Sequence, residues 1–358
     1  MSFSSLLSEL VLHIVSTLHS ARDIYTLMCV NRGLYQLLKK YLYQYSVDHA
    51  NSTGLIRAAE RGSLSAIYCF LSLPRVNVHI RNDARQTILH IAAQQRDRFY
   101  IMMILLRDSR MDVNATDSKG RTPLSYAASN DDCRPLSILL RRHDIDVNMT
   151  DVQGNTPFFY AVDRGQKEAV KKLLDEPRLD PNQNSYILSS PALSPLASAA
   201  GSSSLELLEM LLCDQRVTVN NEVHLSIHPL IWALFRSGKG SKGSIPRLLR
   251  EPNINVNCCW GSMSVLMWGI LLKQTAVVFG TMKKDHIDVN HQDSAGRTAL
   301  MLAIEKGNAE VSMALLNRND INLSLENVKE ESALDYALKS DDLKILGEIR
   351  KRLAGFNS

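Results

Sequence analysis

Residues 122–128 read Thr-Pro-Leu-Ser-Tyr-Ala-Ala, and relatives of this phrase recur along the chain. Each one starts with Thr, Ser or His, has an apolar residue two places later and a small residue five places later. The starts lie 34 to 38 residues apart, at Thr53, Thr87, Thr122, Thr156, Ser194, His228, Ser264, Thr298 and Ser332. A nearly fixed period of this length predicts stacked units rather than one globular core.

A second phrase closes each unit. In five units, a Leu of a hydrophobic pair lies eight residues before the Asn of Asp-Val-Asn or a related triplet. These asparagines are Asn114, Asn148, Asn182, Asn220 and Asn257. A turn of the type Asp117-x-x-Gly120 follows, and its Gly is suited to a positive φ. The pattern predicts a turn, a helix cap, a helix, a loop and a second helix in every unit.

The start of each unit indicates how its first helix forms and packs. Thr122 followed by Pro123 predicts an N-cap residue with Pro at the first helical position. The small residue five places after each start predicts a buried contact at which another helix approaches closely. These residues are Ala58, Ala92, Ala127, Ala161, Ala199, Ala233, Gly269, Ala303 and Ala337.

These motifs resemble the ankyrin repeat. The family phrase Thr-Pro-Leu-His-x-Ala-Ala is nearly met by residues 122–128 and by residues 87–93, Thr-Ile-Leu-His-Ile-Ala-Ala. The resemblance covers residues 50–358 and implies an all-α solenoid of about nine helix pairs. Because arrays of this kind hold other proteins, it also implies a protein partner.

Residues 1–48 lack the repeat but show helical periodicity in their apolar residues. They resemble an F-box, a three-helix module, and the arrangement is similar to fungal F-box/ankyrin proteins. The resemblance implies docking on the adaptor subunit of a cullin–RING ubiquitin ligase through Leu6, Glu9, Leu10, Ile14, Ile24, Leu27 and Leu34. The alternative is that these helices only cap the array, which needs an N-terminal cap in any event.

The charge, the cysteines and the lengths of the apolar segments bear on which classes of partner and site to expect. The chain has 358 residues and a net charge of +4 with both signs interspersed, so nucleic acid is not the expected partner. Its six cysteines show no zinc spacing, and no segment has the length of a membrane span. We expect a cytoplasmic or nuclear protein, and we interpret Arg350-Lys351-Arg352 as cations at a helix end.

Catalytic motifs find no support in the sequence. Residues 238–244 have the composition of a phosphate loop without its order, and His224 and His228 lack a third metal ligand. We therefore expect no enzyme activity, no catalytic residue, no metal and no cofactor. The Ser-, Pro- and Ala-rich residues 185–204 predict an extended finger, and residues 238–244 predict a loop insertion.

The place four residues after each start predicts the surface that binds a partner. On the first helix we expect it to face the concave side, where aromatic and Arg side chains are common anchors. The candidates are Arg57, Tyr126, Tyr160, Trp232, Trp268 and Tyr336. The same side chains could instead serve as partly buried packing.

The sequence thus predicts a substrate-recruiting adaptor of an SCF-type ubiquitin ligase, in which the array holds the protein to be ubiquitinated. The alternative is an ankyrin scaffold or regulatory protein that has no link to a ligase.

Overall fold

The structure is a computed structural model that describes residues 3–18, 21–49, 53–185, 192–220, 226–236, 243–340 and 342–355. It is mostly helical and divides into two compact units. The N-terminal unit holds residues 1–161 and 168–179, and the C-terminal unit holds residues 162–167 and 180–358. We describe each unit by itself.

The N-terminal unit begins with a three-helix head, α1 (Phe3–Ser16), α2 (Ala21–Met28) and α3 (Arg32–His49). Its small core consists of Val15, Ile24, Met28 and Leu38. Further helices follow: α4 (Thr53–Arg61), α5 (Leu64–Leu71), α6 (Ile88–Gln94), a 3-10 turn (Arg96–Arg98), α7 (Phe99–Leu105), α8 (Pro123–Ala128) and α9 (Arg134–Leu139). Helices α10 (Pro157–Asp163) and α11 (Lys167–Leu174) contain the boundary between the units.

The C-terminal unit continues the alternation of first and second helices. It contains α12 (Pro195–Gly201), α13 (Leu205–Leu212), α14 (Pro229–Arg236), α15 (Ser244–Leu248), α16 (Val265–Leu271), α17 (Thr275–Met282), α18 (Ala299–Glu305), α19 (Ala309–Leu316), α20 (Ala333–Lys339) and α21 (Leu343–Gly355). Before α16, strands β1 (Cys259–Trp260) and β2 (Met263–Ser264) form a short antiparallel hairpin.

The first helices start where the recurring phrase predicts. Thr122 lies just before α8, its Oγ1 accepts a hydrogen bond from the amide of Ser125, and Pro123 is the first helical residue. Ser194 and Ser264 cap α12 and α16 in the same way. These hydroxyls satisfy amides that have no partner within the helix, which stabilises the start of each helix.

The prediction for the small residues is confirmed. All of them, from Ala58 to Ala337, are buried. At Gly269 even a methyl group would be too large, because an added Cβ would lie 2.9 Å from Cγ2 of Val278. The close approach of α17 therefore limits the residue size at this place in the repeat that starts at Ser264.

The turns also have the predicted conformation. Gly120, Gly154 and Gly296 have φ values of +78°, +75° and +75°. In the first of these turns, one carboxylate oxygen of Asp117 accepts hydrogen bonds from the amides of Lys119 (2.8 Å) and Arg121 (2.9 Å). The Asp and the Gly together close the turn, because one satisfies its amides and the other permits its backbone shape.

Asparagine side chains join the loops of successive repeats. The amide nitrogen of Asn114 donates to the carbonyl oxygen of Asp144 (2.6 Å), while its oxygen accepts from the amide of Asp146 (2.9 Å). Corresponding bonds to residues about thirty positions later are made by Asn148, Asn182, Asn220, Asn257 and Asn290. We call this series the asparagine ladder, and it fixes the loops of successive units in register.

The head is packed against the first repeat. The rings of Tyr43 on α3 and Phe70 on α5 meet edge to face, with centroids 4.7 Å apart. Gly54 allows this contact, because a Cβ there would lie 2.5 Å from the Phe70 ring and 2.7 Å from Oγ of Ser46. The C-terminal half of α3 thus covers the side of the first helix pair that no other repeat covers.

One expectation for the C-terminal unit is wrong. The C-terminal half of the predicted finger, residues 185–204, is not extended, because it forms the helix α12, which is buried throughout. Before this helix, Ala192 forms a parallel bridge with Ser226. The N-cap bond of Ser194 and the close packing of its small residues explain why this composition forms a helix. Residues 186–191 of the finger, and residues 238–242 of the predicted loop, lie outside the described residues.

The last helix agrees with the interpretation of its basic run as helix-end cations. One guanidinium nitrogen of Arg352 donates to the carbonyl oxygen of Arg318 (2.9 Å), and another lies 3.5 Å from the Glu348 carboxylate. Arg350 and Lys351 are exposed. These exposed cations give α21 a polar outer face.

Replacing Ala127 with Leu should overpack a fully buried helix contact and lower the free energy of unfolding by ~1–3 kcal/mol. The midpoint of urea denaturation of the full chain measures this change. Ala276→Leu is the matched control, since Ala276 is exposed on α17, and it should change stability by less than ~0.5 kcal/mol. Equal midpoints for the two variants would contradict the packing described here.

Candidate functional site

The predicted partner-binding residues differ in their surroundings. Arg57 on α4 is exposed, whereas Tyr126 on α8 is buried and Tyr160 on α10 is half-buried, all in the N-terminal unit. Trp232 on α14, Trp268 on α16 and Tyr336 on α20 are half-buried in the C-terminal unit. Of these six residues, Trp232 and Trp268 lie on two first helices that contact each other, α14 and α16.

The tyrosines fasten turns to helices. The hydroxyl of Tyr126 donates to Oδ2 of Asp117 (2.7 Å), and that of Tyr160 donates to Oδ2 of Asp151 (2.5 Å). Burial, followed by the bond to Asp151, raises the pKa of Tyr160 to about 12. The hydroxyl of Tyr336 accepts a bond from Asn327 (3.0 Å). A sequence signal for this role exists, because each Tyr follows its Asp or Asn by nine residues.

Trp232 rests on a glycine of the preceding first helix. A Cβ added at Gly201 would lie 2.4 Å from Nε1 of Trp232 and 3.1 Å from Cγ of Arg236. The Arg236 guanidinium carbon lies 6.0 Å from the centroid of the Trp232 ring. The missing side chain at position 201 therefore creates the space in which the indole and the arginine stem lie side by side.

Trp268 is held by the hairpin. Its indole nitrogen donates to the carbonyl oxygen of Trp260 (3.3 Å), and its ring meets that of Phe235 edge to face at 4.9 Å. All four aromatic residues, Trp232, Phe235, Trp260 and Trp268, are half-buried, and we call them the aromatic surface. Rigid, partly exposed Trp side chains of this kind are frequent anchors in protein interfaces.

Phe235, Arg236 and Trp260 were missed as candidates in the sequence. Phe235 and Arg236 follow Trp232 by three and four residues, so helical spacing places them on one face of α14. The position of Trp260 depends on the hairpin, which replaces the Asp-x-x-Gly turn of other units. The first two could have been found from periodicity, whereas the third could not.

His228 caps the helix that carries Trp232. Its Nδ1 accepts a hydrogen bond from the amide of Leu230 (3.2 Å), so the neutral ring donates from Nε2 to Oδ1 of Asn220 (3.2 Å). The side chain is buried, and burial lowers its pKa to about 4. His228 thus replaces the Thr or Ser of other units and also connects the cap to the asparagine ladder.

The head residues predicted to bind a ligase adaptor fall into three groups. Leu10 and Ile14 are 54% and 56% exposed on α1, and Glu9 is exposed beside them. Ile24 is fully buried in the head core, and Leu27 and Leu34 are partly buried. The side chain of Leu6 lies outside the described residues. Further exposed apolar side chains in the head, missed in the sequence, are Tyr25, Val30 and Tyr35.

Acid should destabilise the protein through His228. Because the folded chain binds this proton more weakly than the unfolded chain, whose pKa is near 6.5, stability is complete above that pH and is lost as pH falls towards about 4. Between about pH 7.5 and pH 5, the wild type should lose ~2 kcal/mol more than His228→Thr, which keeps a cap that does not titrate.

Urea denaturation at each pH measures this difference. Both proteins keep His90, whose pKa is also lowered by burial, so its contribution cancels. His286→Gln removes an exposed histidine and should follow the wild type. Parallel pH profiles for the wild type and His228→Thr would show that the cap does not depend on the neutral imidazole.

Among the residues that the structure describes, no three His, Cys, Asp or Glu side chains form a group that could hold a metal ion. None of the described helices combines the length and the apolar character needed to cross a membrane.

Comparison with protein families agrees with the geometry. The sequence model of the family described as ankyrin repeats (3 copies) matches residues 99–185, 136–223 and 266–351. Together these segments cover more than half of the chain. Ankyrin repeats indicate a protein–protein interaction module. The chain belongs to the ankyrin-repeat family.

Proposed function

We propose that this protein is the substrate-recruiting adaptor of a cullin–RING ubiquitin ligase. In this proposal residues 1–48 form an F-box-like head that docks on the adaptor subunit of the ligase. Residues 50–358 form an array of nine helix pairs that holds the target. The chain performs no reaction itself, and it acts in the cytoplasm or the nucleus.

One observation carries the ligase part of the proposal. The head contacts the first repeat through the C-terminal half of α3, at Tyr43, but its exposed apolar side chains lie on other parts of the head. Leu10 and Ile14 are four residues apart on α1 and therefore share a face of that helix. A head that served only as a cap would not need an exposed apolar face, which is typical of a partner site.

The alternative function is an ankyrin scaffold without a ligase. The contact between Tyr43 and Phe70 supports it, because this contact is what an N-terminal cap requires. The two functions differ in what α1 does. In the scaffold its exposed face has no partner, whereas in the adaptor that face is buried by the ligase subunit.

The target-binding part of the proposal rests on the aromatic surface. Three of its residues are the only tryptophans in the chain, and they lie within 37 positions of one another, from Trp232 to Trp268. Indoles that keep part of their surface exposed lose little entropy on binding and bury a large apolar area. Tyr126 and Tyr160, in contrast, already use their hydroxyls within their own turns.

Replacing Leu10 and Ile14 with Asp should abolish binding to the ligase adaptor subunit, because two charges would be buried without partners in that interface. Co-precipitation of the purified adaptor subunit with the full chain measures this. Tyr100→Asp, at a side chain that is 63% exposed on α7, is the control and should bind as the wild type does. Undiminished binding by the double variant, or none by the wild type, would refute the ligase assignment.

Truncating Trp232 and Trp268 to Ala together should weaken target binding by at least ~2 kcal/mol if they are anchors. Affinity capture from cells followed by quantitative mass spectrometry gives the change in yield for each captured protein. Circular dichroism and thermal melting must show that the variant is folded, since both indoles also pack against their neighbours. A folded variant with unchanged yields would contradict binding at the two indoles and would indicate that the target binds the turns instead.

A further inference from the structure

A lysine occupies a place where other units have glycine. Nine residues after the unit start, Gly62, Gly165 and Gly307 have φ values of +75°, +70° and +65°. Lys273 holds the same place after α16 with a φ of +55°. Left-handed backbone disfavours any residue with a Cβ, so the lysine is kept here at a structural cost. Such outliers concentrate where function requires them.

Arg236 presents a second cation at the end of the neighbouring first helix. Helices α14 and α16 are in contact, so both cations stand at the C-terminal ends of adjacent helices. Arg236 and Lys273 form no ion pair with any carboxylate in the described ranges. The dipole of each helix favours a cation there, but it does not require a strained residue.

The aromatic surface contains no negative charge of its own. Helices α12, α14 and α16 and the hairpin at residues 259–264 contain neither Asp nor Glu. Four of the other six first helices carry an acidic residue, namely Glu60, Asp163, Glu305 and Asp335. These four elements therefore supply no carboxylate to pair with Arg236 or Lys273.

The indole nitrogens of Trp232 and Trp268 differ. That of Trp268 is used, since it donates to the carbonyl oxygen of Trp260. That of Trp232 has no acceptor among the described residues, and it lies beside the Arg236 stem over Gly201. Two neighbouring donors, one of them charged, are suited to a carboxylate.

We propose that the aromatic surface, with Arg236 and Lys273 at its edge, binds an extended segment of the target in which Asp or Glu alternates with Leu or Pro. This inference rests on the proposed function, because it names the chemistry of the segment that the array recognises. The apolar side chains stack on the indoles, as extended Pro-containing peptides do in aromatic grooves. The carboxylates accept hydrogen bonds from Arg236 and lie near Lys273.

Single-stranded nucleic acid is the other polymer that aromatic and basic residues bind. It needs a series of cations that follows the phosphate backbone. Among the described residues, the two cations beside four aromatic rings provide no such series, and the net charge of +4 is small for a chain of this length. The geometry therefore favours an acidic peptide.

The test is selection of a phage-displayed random dodecapeptide library on the full-length protein and on Arg236→Glu. The wild type should enrich acidic peptides that contain Leu or Pro, and the charge-reversed variant should enrich basic ones. The enriched acidic peptide is then synthesised and titrated by intrinsic fluorescence, since all three tryptophans of the chain lie on this surface. Arg236→Glu should weaken its binding at least about tenfold.

Three variants separate binding from folding. Lys273→Gly should melt at the same or a higher temperature yet bind the acidic peptide more weakly. Gly201→Ala should displace Trp232 and lose binding, whereas Gly347→Ala should not, since nothing lies within 4 Å of a Cβ at that helical position. Lys283→Glu reverses an exposed charge at the end of α17 and should leave binding unchanged.

Several results would overturn the inference. These are an absence of enriched peptides, enrichment without a charge preference, equal affinity of the wild type and Arg236→Glu, or competition by a twelve-residue oligothymidylate. The proposed function would survive if the Trp232 and Trp268 double variant loses its captured target while Arg236→Glu does not. In that event the target binds here without the acidic segment.

Discussion

Each helix pair in this chain leaves an apolar face that only its neighbour can cover, and the distance between helices decides whether it is covered. The small residue five places after each unit start sets that distance. Ala127 is fully buried at such a contact, and at Gly269 the side chain of Val278 occupies the space that a methyl group would need. Caps, turns and loops must conform to this spacing, because close-packed interiors do not tolerate an added side chain without strain.

Polar side chains keep the stacked units in register. Each asparagine of the ladder donates to a carbonyl oxygen of the following repeat, and Asn114 also accepts a hydrogen bond from an amide there, that of Asp146. Each bond contributes only about 1 kcal/mol net. The ladder ends at Ser324, whose hydroxyl turns back to Asn322 in its own loop. The last unit therefore lacks the side chain that would join it to another.

The sequence predicted the features that repeat and act locally: helix starts such as Thr122, the small buried residues and the turn glycines. It did not predict the bond between His228 and Asn220 or the surroundings of Phe235 and Trp260. The reason is that these depend on partners outside the local phrase. Asn220 forms one bond with His228 and another with a residue 33 positions later, so its role cannot be found from one unit alone. The F-box-like nature of the head stays a prediction.

Departures from the repeat are informative because the array constrains every unit in the same way. At His228 an imidazole still accepts the hydrogen bond that caps the helix. At Gly269 the Val278 side chain fills the space of the missing methyl group. Both departures therefore preserve the packing between repeats. Lys273 differs, because its left-handed backbone conformation is unfavourable for a residue with a Cβ. Its side chain is exposed and makes no hydrogen bond or ion pair with the described residues. A cost without an internal compensation points to an interaction outside the chain. Lys273 lies beside the only tryptophans of the chain, which are the side chains most suited to bind a partner.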